Sequence, residues 1–261
     1  EKGLSAGLFY FPDYGKYEEY SEANYETNIS DFQLVSYILG RCATVDEVKA
    51  EIARVHIHGF DPRSSTVHWR FAEPSGRQIV LEIIDGKCIF YENNLGVLTN
   101  SPSFDWQLTN LNNYVNLLPG RTEPHTIGNM SLSSFGGGSA MIGLPGDFTP
   151  LSRFVRAAFF QSTAPQKPDA EGSVFTAFHI LGSMEIPIGA QFPVDETPAD
   201  IPSATQCTCV TDMSGLRFYY RSMYDGGIRC IDLKEIDFKK IGLKSEPLVP
   251  SKKEFVHHIR F

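Results

Sequence analysis

The sequence predicts an α+β fold, and three observations carry that expectation. Residues 67–91 hold three short strand-like runs separated by turn signals, Glu73-Pro74-Ser75-Gly76 and Asp85-Gly86. Residues 205–233 repeat the pattern: three more runs joined by short turns. Before and between these groups, apolar residues recur at helical spacing behind helix-start signals. Strands in runs, with helices in pairs between them, fit helical layers covering an antiparallel core.

The elements follow in order. Leu4 to Pro12 is apolar and aromatic and reads as a buried strand bounded by Pro12. Tyr14 to Tyr25 is polar and acidic with four tyrosines, which predicts a surface loop. Ser30-Asp31-Phe32-Gln33 has capping-box form and opens a short helix to Gly40, with Phe32, Val35 and Leu39 as its apolar face. Thr44-Val45-Asp46-Glu47 is a second capping box, heading a helix whose core face is Val45, Val48, Ile52 and Val55. Asp61-Pro62 to Ser65 is a turn. The strands Val67 to Ala72, Gln78 to Ile84 and Lys87 to Tyr91 then form an antiparallel meander. Asp85-Gly86 is the kind of two-residue loop that closes a tight hairpin.

The meander leads into residues 96–111, a strand-to-helix corner. Asn100-Ser101-Pro102 breaks the strand, because the residue before proline is disfavoured in the helical region. Ser103 can cap a helix in which Phe104, Leu108, Leu111 and Val115 share a face and which ends near Leu118. Asn100 therefore sits at a corner, with a side-chain amide that can be aimed into a cleft. Pro119 to Pro150 is long and glycine-rich, and a loop of that length carries function or wraps a partner. Thr149-Pro150 starts a helix through about Ser162, proline being tolerated in a first turn. A linker at 164–170 and an amphipathic helix from Val174 to Met184 precede the second strand group, Thr205 to Val210, Leu216 to Ser222 and Ile228 to Leu233. The tail from Lys239 is irregular. The sequence has no internal repeat, and its length allows one domain or two small ones.

Composition narrows the function classes. The 261 residues are 42% hydrophobic and 21% charged, which is ordinary for a chain with a sizeable core. A formal charge of -8 without a lysine-arginine cluster argues against nucleic acid and anionic membrane surfaces. No apolar run approaches the length of a membrane span. The five cysteines, Cys42, Cys88, Cys207, Cys209 and Cys230, have no disulfide-framework spacing and read as reduced, mostly buried thiols. His56-Ile57-His58 lacks a third ligand for zinc. Gly136-Gly137-Gly138 lacks the lysine of a phosphate loop, and no serine sits in a G-x-S-x-G elbow. No metal or organic cofactor is implied.

Three blocks in order carry a resemblance: Glu1-Lys2-Gly3-Leu4-Ser5 with Leu8 to Pro12; Leu98-Thr99-Asn100-Ser101-Pro102; and Gly143 to Pro150 followed by Ser152-Arg153-Phe154-Val155-Arg156-Ala157. Together they resemble the choloylglycine hydrolase family, which includes bile salt hydrolases and penicillin V acylases. The resemblance covers most of the chain and weakens past about Phe192. It implies a single domain over residues 1–261 with the four-layer αββα arrangement of N-terminal nucleophile hydrolases. It also implies hydrolysis of linear amides by a leading cysteine, whose free α-amino group is the base, through a thioester acyl-enzyme.

That cysteine belongs to a segment of several dozen residues that would precede Glu1. The chain is thus expected to be a family member without its front end, with the fold incomplete at the N-terminus and an apolar strand edge and surface exposed. Its expected partners are a small amide substrate and either further copies in a homotetramer or a separate N-terminal chain.

The resemblance assigns three catalytic partners. Asn100 matches the asparagine whose amide donates to the oxyanion; its alternative is an Asx turn before proline. Arg153 matches the arginine whose charge favours thiolate over thiol, with Arg156 as a lesser substitute expected to form an ordinary salt bridge. Tyr10 matches a position whose backbone N–H is the second oxyanion donor and whose ring shapes the pocket, with Phe9 as the alternative if the alignment slips by one. Phe135 and Met141 in the long loop are candidates for an apolar acyl pocket, as are Leu144, Phe148 and Trp106, for which core packing is an equal alternative. Tyrosine at position 10 tilts the expectation toward penicillin V acylase-like specificity. Conjugated bile salts come second and acyl-homoserine lactones third. A non-catalytic remnant that binds an acyl ligand or a partner chain is the competing class.

Overall fold

The alternation in residues 67–92 produces the meander that organises the larger part of the chain. In the computed structural model, which describes residues 1–61, 64–192, 196, 204–249, 252–253, 255–256 and 258–259, the chain divides into two compact units. One is Ala6–Ala164. The other joins Glu1–Ser5 to Pro165–Phe261.

The first unit begins with β1 (Ser5–Tyr10), followed by β2 (Asn28–Ser30), α1 (Leu34–Leu39), α2 (Val45–Ile52) and β3 (His56–His58). The meander is β4 (Val67–Ala72), β5 (Gln78–Ile84) and β6 (Lys87–Glu92). Its sheet has the order β1-β4-β5-β6, with β4–β5 and β5–β6 antiparallel. Asp85 and Gly86 both have positive φ, 49° and 72°, as the tight hairpin requires. β2 and β3 pair in parallel as a separate ribbon.

Because side chains alternate along a strand, β4 sends Val67, Trp69 and Phe71 to one face and His68, Arg70 and Ala72 to the other. The first set is fully or nearly fully buried, and α2 packs on β4. The second face is covered by α3 (Phe104–Asn110) and α4 (Pro150–Thr163), whose Phe104, Phe154 and Ala158 meet Val80 and Val97 in one core cluster.

Both capping boxes are present. Thr44 Oγ1 accepts the Glu47 N–H at 3.2 Å, and the Glu47 carboxylate accepts the Thr44 N–H at 3.3 Å. Gln33 Oε1 accepts the Ser30 N–H at 3.3 Å. The buried face of α1, however, is Leu34 and Ile38, and not Phe32, Val35 and Leu39. Asp31–Gln33 forms a 3₁₀ turn, whose tighter winding rotates the residues that follow. α2 ends at Ile52, which leaves Val55 beyond it.

α3 also differs from expectation. It stops at Asn110 and continues as a 3₁₀ turn, Leu111–Tyr114; of the expected face Phe104 is buried and Leu111 packs on its cluster, while Leu108 and Val115 are exposed and Gln107 is buried instead. Ser103 Oγ donates to Asp105 Oδ1 at 2.6 Å and caps no N–H. Residues 14–25 are less superficial than their composition implied, since the Tyr17 hydroxyl accepts the Val67 N–H at 2.7 Å. Burial pushes that phenol's pKa well up. Within residues 119–150 lies an unforeseen hairpin, β7 (His125–Ile127) and β8 (Met130–Leu132).

The second unit carries α5 (Ala170–Gly182) and the antiparallel sheet β9 (Cys207–Asp212), β10 (Arg217–Ser222) and β11 (Asp225–Asp232), in the order β11-β10-β9. Val174 and Phe178 of α5 pack on Tyr219 of β10. All five cysteines are free, but only Cys42 is buried. The expectation of mostly buried thiols is corrected: Cys88, Cys209 and Cys230 stand on exposed strand positions. Among the described residues no group of side chains is arranged to hold a metal, and no helix is long and apolar enough to cross a membrane.

Candidate active site

Three chain segments meet at the C-terminal end of β1. The first is Tyr10–Pro12. The Phe11 N–H donates to Thr66 O at 2.8 Å, and Phe11 O accepts from Thr66 Oγ1 at 2.6 Å. The second is the corner at 99–103, tied to the first by Ser101 Oγ donating to Pro12 O at 2.6 Å. The third is the start of α4, where Thr149 caps the Ser152 N–H, Pro150 occupies the first turn, and Pro150 O accepts from Thr99 Oγ1 at 3.0 Å.

The three sequence-predicted catalytic partners converge here. Arg153 Nη2 donates to Asn100 Oδ1 at 2.7 Å, and Asn100 Nδ2 donates to Tyr10 O at 2.7 Å. These contacts fix the amide's orientation. A guanidinium only donates, so the atom facing it is the oxygen; a carbonyl only accepts, so the atom facing it is the nitrogen. One N–H of Asn100 remains for a further acceptor. The cation on Oδ1 draws electron density from the amide and strengthens that N–H as a donor. Asn100 is thus more than the closing residue of a local turn: both its contacts reach across the fold.

Arg153 is held in turn by Nε donating to Phe148 O at 2.9 Å. Burial first, and the nearby Arg156 charge second, lower its guanidinium pKa. Arg156 itself is buried, and it corrects the expectation of a salt bridge. Its Nη1 binds the carbonyls of Pro145 and Asp147 at 2.7 and 2.6 Å, which pins the loop before α4. Asp147 accepts from Ser152 Oγ and from the Thr149 N–H, at 2.6 and 2.8 Å. These bonds hold its carboxyl down at about 2. An anion at the start of α4 offsets the unfavourable placement of two arginines in its first turns.

Tyr10 is 56% exposed, with its ring outside the core. The three pocket candidates are not gathered. Phe135 is fully exposed on the long loop, while Met141 and Leu144 are half-buried, the Leu144 N–H donating to Met141 O. Trp106 is also largely exposed. Among the described residues no cysteine thiol hydrogen-bonds with Asn100, Arg153 or Tyr10. Cys88 lies on β6, three strand spacings or about 14 Å from β1.

The corner has a buried polar support that sequence reasoning missed. Gln107 Nε2 donates to Asn100 O at 2.8 Å and to Thr99 Oγ1 at 3.2 Å. His68 Nε2 lies 3.1 Å from Thr99 O, and His68 Nδ1 lies 3.1 Å from Glu82 Oε1. Glu82 Oε1 also accepts the Phe104 N–H at 2.9 Å, so this carboxylate caps α3 in place of Ser103. The signal was a histidine and a glutamate at strand positions whose face, read alone, looked like the wet one.

The α+β architecture and the meeting of Asn100 with Arg153 agree with the N-terminal nucleophile hydrolase fold that the resemblance implied. The chain belongs to the choloylglycine hydrolase family of linear amide C–N hydrolases, which matches residues 1–246. It is 34% identical over 240 residues to the bile salt hydrolase/transferase of Clostridium perfringens, covering 90% of this chain and 71% of that one. It is 29% identical over 264 residues to the penicillin V acylase of Pectobacterium atrosepticum, covering 93% of this chain and 62% of that one. A crystal structure of a conjugated bile acid hydrolase mutant from Clostridium perfringens superposes with a TM-score of 0.84 at 30% identity, over 99% of this chain and 78% of that one.

Proposed function

We propose that the chain carries the amide-cleaving site of a conjugated bile salt hydrolase. The observation that carries this reading is the 2.7 Å hydrogen bond from Arg153 to Asn100 Oδ1, which leaves Asn100 Nδ2 as the outward donor. In the reading, a cysteine thiolate attacks the amide carbon. That thiolate is the leading residue that the family resemblance implies. The carbonyl oxygen gains the displaced electron pair, and Asn100 Nδ2–H and the Tyr10 backbone N–H stabilise it. The cysteine's α-amino group, which took the thiol's proton as the thiolate formed, returns it to the amine as the C–N bond breaks. Water then releases the acid from the thioester. Arg153 keeps the thiol ionised.

Substrate choice rests on the relatives. The bile salt enzyme matches at higher identity and over more of its length than the penicillin V acylase does. That outweighs the tilt toward penicillin V implied by tyrosine at position 10. The exposed Tyr10 ring beside Asn100 is the observation that still favours the second reading. Parallel assays of glycocholate and penicillin V with the full-length protein decide between them. A higher kcat/KM for glycocholate is expected. Preference for penicillin V would reverse the substrate, and turnover of neither by a folded protein would leave a binding remnant.

A further inference from the structure

We infer that the buried His68–Glu82 pair is a positioning device for Asn100, setting the corner on which its side-chain amide is carried. The inference rests on the reading of Asn100 as oxyanion donor and adds two residues to it.

Both side chains are entirely buried. The His68 ring stacks on Phe11 with centroids 4.4 Å apart and planes 9° apart, and Phe9 meets it edge-on at 6.1 Å. The ring is therefore fixed by the residues that flank Tyr10. Its two nitrogens reach the two ends of the corner. Nε2 faces the carbonyl of Thr99, the residue before Asn100. Nδ1 faces the Glu82 oxygen that holds the Phe104 N–H, the first of α3. One side-chain pair thus spans residues 99–104 from beneath.

Proton counting makes the pair more than packing. Thr99 O only accepts, so Nε2 carries a proton. The contact between Nδ1 and Glu82 Oε1 then needs one more proton. Placed on the ring, it gives an imidazolium–carboxylate pair. Placed on Glu82, it gives a neutral imidazole and a carboxylic acid. Both placements are electrically neutral overall and keep all three links. Among the described residues Glu82 Oε2 has no hydrogen-bond partner, so the carboxyl's polar work is concentrated on the oxygen that serves the corner.

Glu82→Gln keeps the shape and removes this option. With the amide oxygen toward Phe104, the ring must become an uncompensated buried cation, set its Nδ1 lone pair against that oxygen or, as the other tautomer, set its Nε2 lone pair against Thr99 O. With the amide flipped, an N–H meets the Phe104 N–H. Every neutral arrangement breaks a link to the corner, and the one that keeps all three buries an uncompensated cation. Adding His68→Gln removes the conflict: its amide nitrogen takes the place of the ring's Nε2 and donates to Thr99 O, the amide oxygen at position 82 keeps the Phe104 N–H, and both links to the corner are held without charge.

The test uses the full-length protein and the Asn100 side-chain amide NMR signals, assigned by their loss in Asn100→Ala. Glu82→Gln is expected to shift those signals and to lower kcat on the order of 10- to 100-fold with KM little changed. His68→Gln/Glu82→Gln is expected to return the signals toward the parent. A folded Glu82→Gln whose Asn100 signals match the parent overturns the inference, whatever its turnover. If Glu82→Gln does not fold, the double variant decides: Asn100 signals away from the parental position overturn it. Parental kcat in Asn100→Ala would instead overturn the reading of Asn100 as oxyanion donor, and displaced signals in Glu82→Gln would then still support the positioning role.

Discussion

Asn100 has two contacts, and they make different demands on a replacement. Asn100→Ala removes the outward N–H and leaves Arg153 without its side-chain acceptor. A loss of one oxyanion donor lowers kcat by about 10²–10³, so steady-state turnover of the full-length protein should fall by that order while far-UV circular dichroism stays parental. A drop of less than about threefold would remove Asn100 from the catalytic reading. Arg153 tests the cation. Its guanidinium spans Asn100 Oδ1 and Phe148 O from two different nitrogens. A lysine has a single point of attachment and fits that fork poorly. Arg153→Lys should therefore lower kcat/KM, and its weaker hold near the thiol should move the acid limb of the pH–rate profile upward, because a cation stabilises the thiolate form. An unmoved acid limb would show that Arg153 does not act on the nucleophile.

At the scale of elements, burial decides which side chains matter, and burial was only partly legible in advance. Phe104 is 1% exposed and touches both Val80 and Phe154 in the core cluster, whereas Leu108, one turn on, faces out. Phe104→Ala should cost about 3–5 kcal/mol in denaturant unfolding, and Leu108→Ala well under half of that; equal losses would place α3 in the other register. The meander was readable because alternation in β4 to β6 and the Asp85-Gly86 turn point to one register. The α1 and α3 faces were not, because one 3₁₀ turn before α1 and another after α3 shift the spacing that a regular helix would keep. His68 and Glu82 were hidden for a related reason: polar residues alternating with Trp69 and Leu81 look like a solvent face until α3 covers them. The Asn100–Arg153 meeting was legible only through the resemblance, since no spacing rule joins residues 53 positions apart. Elements are also tied electrostatically. Glu92 accepts from Arg77 Nη2 at 2.8 Å and Lys49 Nζ at 2.6 Å, linking β6 to α2, and its carboxyl is held down at about 2, chiefly by Arg77. A depressed carboxyl stabilises the fold above its unfolded value and loses that contribution as pH falls through about 2. The contribution is small because the cluster is partly exposed. Glu92→Gln should lower Tm slightly at pH 7, and the difference from the parent should close as pH drops from about 4.5 toward 2. A gap that widens on acidification would contradict the assignment.

At the scale of the molecule, several large apolar side chains stand exposed along one loop. The β7–β8 hairpin has three-residue strands and exposes Ile127 and Met130, with Phe135 fully exposed just beyond. A short two-stranded hairpin is marginal in water without packing against another surface, and scattered exposure does not explain several large apolar side chains along one loop. β1 adds an edge: it ends the order β1-β4-β5-β6, with Leu8 and Tyr10 open to solvent. Assembly of copies was one of two expectations the resemblance raised, beside a separate N-terminal chain, and the hairpin is the segment on which the first can be tested. Association should therefore rise with protein concentration in sedimentation velocity. Ile127→Lys/Met130→Lys should shift the distribution toward the single chain, with the Asn100–Arg153 site untouched, because charge placed in an apolar contact has to be stripped of water without a counter-ion. If the parent sediments as one chain throughout, and hairpin amides are nonetheless protected from hydrogen exchange, the stabilising contact is internal and assembly through this loop is excluded.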